Sequence, residues 1–138
     1  MPSAAVQAAR VQAVLDIPLH RFLGMRLRDP ADPPAGIWFP VEAPAQNQAA
    51  LLHGGVVYTL LDVAGFLALL PSLDDAEHAV THDLTASLLR PVRAGARVDV
   101  TGSVLRRGRA VAFLRAEASV DGVVVASGQV TKSIVPAG

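Results

Sequence analysis

The 138-residue sequence predicts an α+β fold in which a curved antiparallel sheet wraps around one long central helix. Residues 49–70 form an apolar run with no polar face, which is typical of a helix enclosed by protein. Beyond Pro71 the hydrophobic pattern alternates with a period of two to the end of the chain, as in strands. The dipeptide Asp121-Gly122 supplies the positive φ angles of a tight hairpin between two of those strands.

The first half of the chain is predicted to hold two helical segments and two short strands. Ser3 is a suitable N-cap for the first helix. Pro40 in the second strand favours an edge position or a bulge. The predicted elements are a helix at 3–15, a helical turn at 19–24, strands at 25–28 and 37–42, and loops at 29–36 and 43–55.

The central helix and four strands fill the second half. Pro71 is expected to stop the helix. No internal repeat or linker divides the sequence, so we expect a single domain over residues 1–138, with an N-terminal helical segment at 1–23. The predicted elements are the helix at 54–70 and strands at 79–89, 97–106, 110–120 and 123–135.

The composition argues against several classes of function. Twelve basic and twelve acidic side chains give a net charge of zero, without the basic surface that nucleic acids or anionic lipids require. The absence of cysteine excludes a disulfide framework and a thiolate nucleophile or metal site. The four histidines lie in separate segments, so no metal cofactor is predicted. We expect a cytoplasmic protein.

The apolar run is also long enough to span a bilayer. Asp62 near its middle would cost roughly 2.5–3.5 kcal/mol on insertion, and the Gly54–Gly55 pair interrupts its first third. We therefore favour a helix enclosed by protein over a membrane span.

Polar or backbone-exposing residues cluster around the start of the central helix: Asn47, His53, Gly54, Gly55 and Asp62. Ordinary structural interpretations exist, with Asn47 capping a loop, His53 capping the helix, glycines allowing a bend and Asp62 facing solvent. Asp62 stands apart because apolar residues flank it in a helix without a polar face. Because a buried carboxylate without a role is costly, we expect Asp62 to be functional.

The start of this helix and the carboxylate together predict acyl-transfer chemistry. Unpaired N–H groups and the positive end of the helix dipole can stabilise an oxygen that develops negative charge. A carboxylate that faces such a site can act as a general base on water, or as a nucleophile, toward an activated carbonyl.

One chain alone is not expected to assemble this site. Gly54 and Asp62 are eight residues apart, which is about 12 Å along a helix and too far for one small reacting group. Two copies with antiparallel central helices would bring Asp62 of one chain to the helix start of the other. The hydrophobic content of 51% fits such a buried surface. We expect a homodimer as the minimal active unit, assembled into a homotetramer.

A spaced motif makes the functional prediction more specific: Asn47-x5-His53-Gly54-Gly55-x6-Asp62, followed by Val80-Thr81-His82-Asp83-Leu84 and Leu89-Arg90-Pro91. Over about residues 37–132 the sequence resembles the PaaI-like (phenylacetate-pathway type) hotdog thioesterases. The resemblance implies hydrolysis of an acyl-CoA thioester, with Asp62 positioning or activating the attacking water. It also implies that the Gly54 N–H, with Asn47 and His53 nearby, polarises the thioester carbonyl. Thr81 matches a position where the family often has a serine or threonine that helps to hold this water. The alternative is that Thr81 is an ordinary strand threonine.

The same resemblance implies contacts to coenzyme A, which enters as part of the substrate and not as a cofactor. Arginine suits nucleotide phosphates, although arginines near turns are often only solvated. The implied binding residues are Gly55, Asp83, Leu89, Arg90, Pro91, Arg93, Arg106, Arg107, Gly108 and Arg109.

Two rival functions stay open. A hotdog hydratase or dehydratase would also use a histidine and an acid near the central helix, but the His-Gly-Gly-x6-Asp spacing favours hydrolysis. A non-catalytic acyl-CoA-binding sensor could share the fold, although no basic patch supports a DNA-binding role. The aromatic residues fit an aryl or an aliphatic acyl pocket, and they include Trp38, Phe39, Tyr58 and Phe66.

Overall fold

The computed structural model describes residues 2–138, in which three α-helices accompany six strands, and Met1 lies outside the described residues. The helices are α1 (Ala4–Leu15), α2 (Pro18–Phe22) and α3 (Gly54–Leu69). The strands are β1 (Arg26–Leu27), β2 (Ile37–Pro40), β3 (Glu77–Leu88), β4 (Arg97–Arg107), β5 (Val111–Val120) and β6 (Val123–Pro136). Short 3-10 turns cover Pro33–Ala35, Ala43–Ala45 and Leu70–Ser72.

The strands form one antiparallel sheet in the order β1-β2-β4-β5-β6-β3. The predicted hairpin joins β5 to β6, and its turn residues Asp121 and Gly122 have φ angles of 49° and 79°. Within the described chain β3 pairs only with β6, so its outer edge has no neighbouring strand. This free edge is open to pairing with a strand of another chain.

The central helix α3 packs against four strands, β3, β4, β5 and β6. Side chains on several sides of the helix are buried, and Leu60, Leu61 and Leu67 have 0% exposure. The backbones approach most closely at Gly102 of β4, where a Cβ atom would lie 2.5 Å from the Ala64 carbonyl oxygen. The predicted α+β fold, a sheet curled around one enclosed helix, is confirmed.

Pro71 and Pro40 act close to the expectation, with one difference each. Pro71 does not stop the helix abruptly, because the last α-helical residue is Leu69 and the chain continues through the 3-10 turn that contains Pro71. Proline is accepted there because the first turn of a helix needs no backbone donor. Pro40 belongs to a strand inside the sheet, but β1 reaches only Ile37 and Trp38. Pro40 therefore has no strand partner on the β1 side.

The stretch Gly54–Ser72 is long and apolar enough to cross a membrane by length and composition alone. In this fold, 56% of an 18-residue apolar segment within this stretch is buried by the rest of the chain. We interpret the stretch as the core helix of the fold.

Candidate active site

Asp62 lies in the second half of α3, and its side chain is one-third exposed, at 34%. Its Oδ1 accepts hydrogen bonds from Thr81 Oγ1 at 2.7 Å and from Lys132 Nζ at 2.7 Å. Lys132 Nζ also lies 3.0 Å from Thr81 Oγ1. Asp62 is thus neither isolated in the core nor simply solvated, because two donors from two strands hold it at one oxygen.

Thr81 reaches Asp62 because of an irregularity in β3. The register with β6 shifts between Thr81 and Asp83, so His82 is an extra residue in the strand. Before this bulge the buried or partly buried positions are odd-numbered, as at Ala79, and after it they are even-numbered, as at Leu84. A bulge re-aims the side chains next to it, and here it occurs beside the residue that contacts Asp62.

The residue that sequence reasoning missed is Lys132, which is only 3% exposed. It lies in β6 at the same parity as the buried residues Ala126 and Val130, and successive even positions of a strand share a face. A lysine at an inward-facing position of an alternating strand indicates a buried partner, because lysine is rarely buried unless it is paired. A second signal is that Lys132 is the one lysine in the sequence.

A pocket of about 220 Å³ opens beside this cluster. Asp62, Thr81 and Lys132 contribute polar groups to its wall, and Phe66 contributes an aromatic face. His78 from β3 also lines the pocket and meets the Phe66 ring edge-on, with centroids 6.1 Å apart. The pocket therefore combines one carboxylate, one ammonium and apolar surface.

A second histidine, His20 of α2, also lines the pocket. Its Nδ1 lies 2.8 Å from the Val14 carbonyl oxygen, which can only accept a hydrogen bond. Nδ1 must therefore carry the hydrogen, and in the neutral ring Nε2 is then the acceptor. His20 was not among the predicted site residues.

At the start of α3, the predicted residues adopt their ordinary structural roles. His53 is the N-cap, and its Nδ1 accepts a hydrogen bond from the Gly55 N–H at 2.9 Å. The Oδ1 atom of Asn47 accepts from the N–H groups of Ala49 at 2.9 Å and Leu51 at 3.2 Å. These contacts fix the conformation of the loop and of the helix start.

Gly54 presents the first backbone N–H of the helix. Within residues 2–138 this N–H makes no hydrogen bond to another group, as expected at a helix start. A Cβ atom at Gly54 would lie 2.8 Å from Leu88 Cδ1, so the glycine also permits a close approach to the end of β3. Thr81, the strand contact of Asp62, lies seven positions earlier in the same strand.

Most candidate coenzyme A residues fall at two ends of the sheet, whereas Asp83 lies in the middle of β3 and Gly55 in the first turn of α3. The N–H groups of Leu89 and Arg90 bond to the Val125 carbonyl, and Arg93 forms an isolated bridge with Leu51 near the start of α3. Arg106, Gly108 and Arg109 belong to the β4–β5 hairpin. The side chains of Asp83, Pro91 and these arginines are exposed.

A further arginine of the hairpin, Arg107, is only partly exposed and already has protein partners. Its guanidinium donates to Glu77 Oε1 at 2.5 Å and to the Gly108 carbonyl at 2.7 Å. The Arg107 hydrogen bond, helped by the Asp74 N–H, lowers the pKa of the Glu77 carboxyl below its usual value of 4.5. Arg107 therefore ties the hairpin to the beginning of β3.

The candidate arginines form two groups, Arg90 with Arg93 and the hairpin group Arg106, Arg107 and Arg109. The contact between Arg107 and Glu77 places the hairpin group at the beginning of β3. β3 is 12 residues long, so its two ends are about 36 Å apart along the strand. Arg107 marks one end, and Arg90 follows the other. One chain does not bring the two groups together around one nucleotide.

Among residues 2–138, no group of three or more metal-ligating side chains is found.

Comparison with known proteins identifies relatives with this fold. A family model described as "Thioesterase superfamily" matches residues 50–132. Acyl-coenzyme A thioesterase 13 of Mus musculus is 31% identical over 100 residues, which cover 68% of each chain. A mutant structure of the phenylacetic acid degradation protein PaaI from Thermus thermophilus is 26% identical, with a TM-score of 0.72 over 85% of this chain and 98% of that one. A thioesterase structure from Pseudomonas aeruginosa, 23% identical over 94% of both chains, has a TM-score of 0.81 and supports the fold.

Proposed function

The chain belongs to the thioesterase superfamily of hotdog enzymes, and we propose that it hydrolyses an acyl-CoA thioester to a free acid and coenzyme A. The observation that carries the proposal is Asp62, held at Oδ1 by two donors beside an open pocket. The mouse relative named as an acyl-coenzyme A thioesterase supports the substrate class. Coenzyme A thioesters are intracellular, so a cytoplasmic location is part of the proposal.

Asp62 acts as the base in the proposed reaction. Its Oδ2 has no hydrogen-bond partner within residues 2–138 and is available to a water molecule. Oδ2 takes a proton as the water oxygen attacks the thioester carbonyl. The tetrahedral intermediate then expels the coenzyme A thiolate, which recovers that proton from Asp62. Direct attack by Asp62 is the alternative, and it would pass through an acyl-enzyme anhydride.

The negative charge of the intermediate needs a donor, and the proposed donor is the free N–H of Gly54. It stands at the positive end of α3, where an oxyanion is stabilised. Asn47 and His53 support this role by fixing the loop and the helix start around Gly54. Thr81 supports Asp62 in holding the water.

A second copy of the chain completes the site in this proposal. The free edge of β3 carries exposed apolar side chains, with Val80 at 44% and Leu88 at 50% exposure. Antiparallel pairing of β3 with its two-fold copy would cover that edge. Suppose that Thr81 of one chain lies opposite the partner's Leu88. The partner's Gly54, which packs against that leucine, then comes close to Asp62 of the first chain, which contacts Thr81.

The same register joins the two arginine groups. With the two-fold axis near Leu84 and Thr85, Arg90 of one chain lies opposite Ala79 of the other, near the end that Arg107 marks. The exposed Arg106 and Arg109 can then share one nucleotide with Arg90 and Arg93 across the interface. The homodimer is thus the proposed active unit, and a homotetramer is proposed as a pair of such dimers.

The first test replaces Asp62 with asparagine, which keeps the shape but takes up no proton. We expect kcat for a hydrolysed acyl-CoA to fall by roughly a hundredfold or more. Wild-type enzyme is first screened with aryl, short-chain and long-chain acyl-CoA thioesters, and thiol release is measured. Asp121→Asn is the matched control, because this exposed turn aspartate lies far from the pocket and asparagine tolerates its positive φ.

The outcomes separate the rival functions. Normal turnover by a folded Asp62→Asn variant would contradict the assignment of Asp62. Tight acyl-CoA binding without any hydrolysis by the wild type would favour the sensor, and addition of water to an enoyl-CoA would favour the hydratase.

A further inference from the structure

Lys132 is a buried lysine, and its ion-pair partner among residues 2–138 is Asp62. Its Nζ donates to Asp62 Oδ1 at 2.7 Å and to Thr81 Oγ1 at 3.0 Å, and it lies 5.5 Å from the centre of the Phe66 ring. A buried ammonium is costly unless it is paired and hydrogen-bonded. The charged group that compensates the ammonium is therefore the carboxylate that the proposed reaction uses.

The donors in this cluster can be assigned. Lysine can only donate, so Thr81 Oγ1 accepts from Lys132 and its own hydrogen points to Asp62. Both hydrogen bonds to Asp62 then end on Oδ1. Such a closed set of three contacts fixes the rotation of the carboxylate and leaves Oδ2 as the oxygen that can accept a proton from water.

Stability alone does not explain a lysine at this position. Replacing a buried ion pair by apolar side chains of similar size is often neutral or stabilising. The neighbours at the same parity in β6, Val130 and Ile134, are apolar and would accept such a side chain. The sequence has eleven arginines besides this one lysine, and none of the eleven lines the pocket.

We propose that Lys132 is a positioning residue for the thioesterase reaction: its ammonium fixes the Asp62 carboxylate through Oδ1 and leaves Oδ2 directed at the attacking water. This inference rests on the proposed function. Lys132 acts through Asp62 and does not need to touch the substrate. The other titratable side chains facing the pocket are His20 from α2 and His78 from β3.

The test is Lys132→Met, which keeps the length of the side chain and removes its charge. We expect kcat to fall by about tenfold to a hundredfold, the scale of a misplaced catalytic group, with KM changed less than about threefold. Arg115→Met, which removes an exposed charge from β5, is the control and should change neither quantity.

A double-mutant comparison distinguishes positioning from a general structural effect. In an Asp62→Asn background, Lys132→Met should lower kcat no further, because the residue through which it acts is already inactive. Lys132→Gln, which keeps a donor without the charge, provides a second variant if the methionine variant does not fold. Either folded variant overturns the inference if it has the wild-type kcat, or if its loss in kcat multiplies with that of Asp62→Asn. Full activity of Asp62→Asn alone would instead refute the role of Asp62, and with it the role of Lys132, whereas a wild type that hydrolyses no acyl-CoA would refute the proposed function.

Discussion

At the residue scale, two glycines where α3 meets the sheet differ in what a methyl group would encounter. At Gly102 a Cβ atom would lie 2.5 Å from the Ala64 carbonyl oxygen, a backbone atom that cannot move aside alone. At Gly65 on the helix, the nearest atom would be Val130 Cγ2 at 3.5 Å, an ordinary contact. The first position requires glycine for close packing, and the second does not.

We therefore predict opposite effects of alanine at these two positions. Gly102→Ala should lower the free energy of unfolding by about 1–3 kcal/mol, the usual cost of overpacking. Gly65→Ala should raise it by up to about 1 kcal/mol, because alanine favours the helix. Urea denaturation measures both, and an equal loss in the two variants would contradict the difference in contact distance.

The predictability of the site also depends on single residues. Asp62 can be found from sequence because a carboxylate is conspicuous in an apolar helix, and Thr81 followed from the family motif. Lys132 was missed because a lysine in a strand is usually solvated. Only its parity with Val130, together with its being the single lysine, reveals the inward position.

At the scale of elements, alternation predicted the four long strands well because hydrophobic periodicity is a local property. The last strand, for example, was expected at 123–135 and is Val123–Pro136. Alternation identifies the face of each residue but not the neighbouring strand. The placement of β3 beside β6, and the bulge at His82, therefore required the structure.

The β4–β5 hairpin carries an element-scale prediction, because its arginines have different surroundings. Arg106 and Arg109 have exposed side chains, whereas Arg107 holds Glu77. Charge reversal at Arg106 and Arg109 should raise KM for an acyl-CoA by about tenfold or more, since hydrogen bonds to charged groups contribute about 1.5–3 kcal/mol. Turnover of the matching pantetheine thioester, which lacks the nucleotide, should change little.

Arg107→Gln is the comparison within the same hairpin. It should act mainly on stability, because Glu77 then loses its charged partner. Steady-state kinetics with both thioesters, together with thermal unfolding, separate the two effects. Equal increases in KM for both substrates in the Arg106 and Arg109 variant would contradict nucleotide contact.

At the scale of the whole molecule, the arrangement of functional groups along β3 argues for a site shared by two chains. Asp62 contacts the strand at Thr81, whereas Gly54 approaches it at Leu88. The rise of the helix separates these groups by about 12 Å within one chain. A two-fold axis near the middle of β3 exchanges the two ends and pairs each carboxylate with the partner's helix start.

Subunit mixing tests this shared site directly. One parent carries Asp62→Asn, and the other carries Asn47→Ala with Gly54→Val, so each parent homodimer is inactive for a different reason. A mixed dimer collects both defects in one site and leaves the other site intact. Random exchange of equal parts should restore about a quarter of wild-type activity, since half the dimers each carry one good site of two.

Mass spectrometry verifies the exchange, and two parents with the same Asp62→Asn defect provide the control. If verified mixed dimers are no more active than the parents, each site belongs to a single chain, and Gly54 must then act on a different group from Asp62.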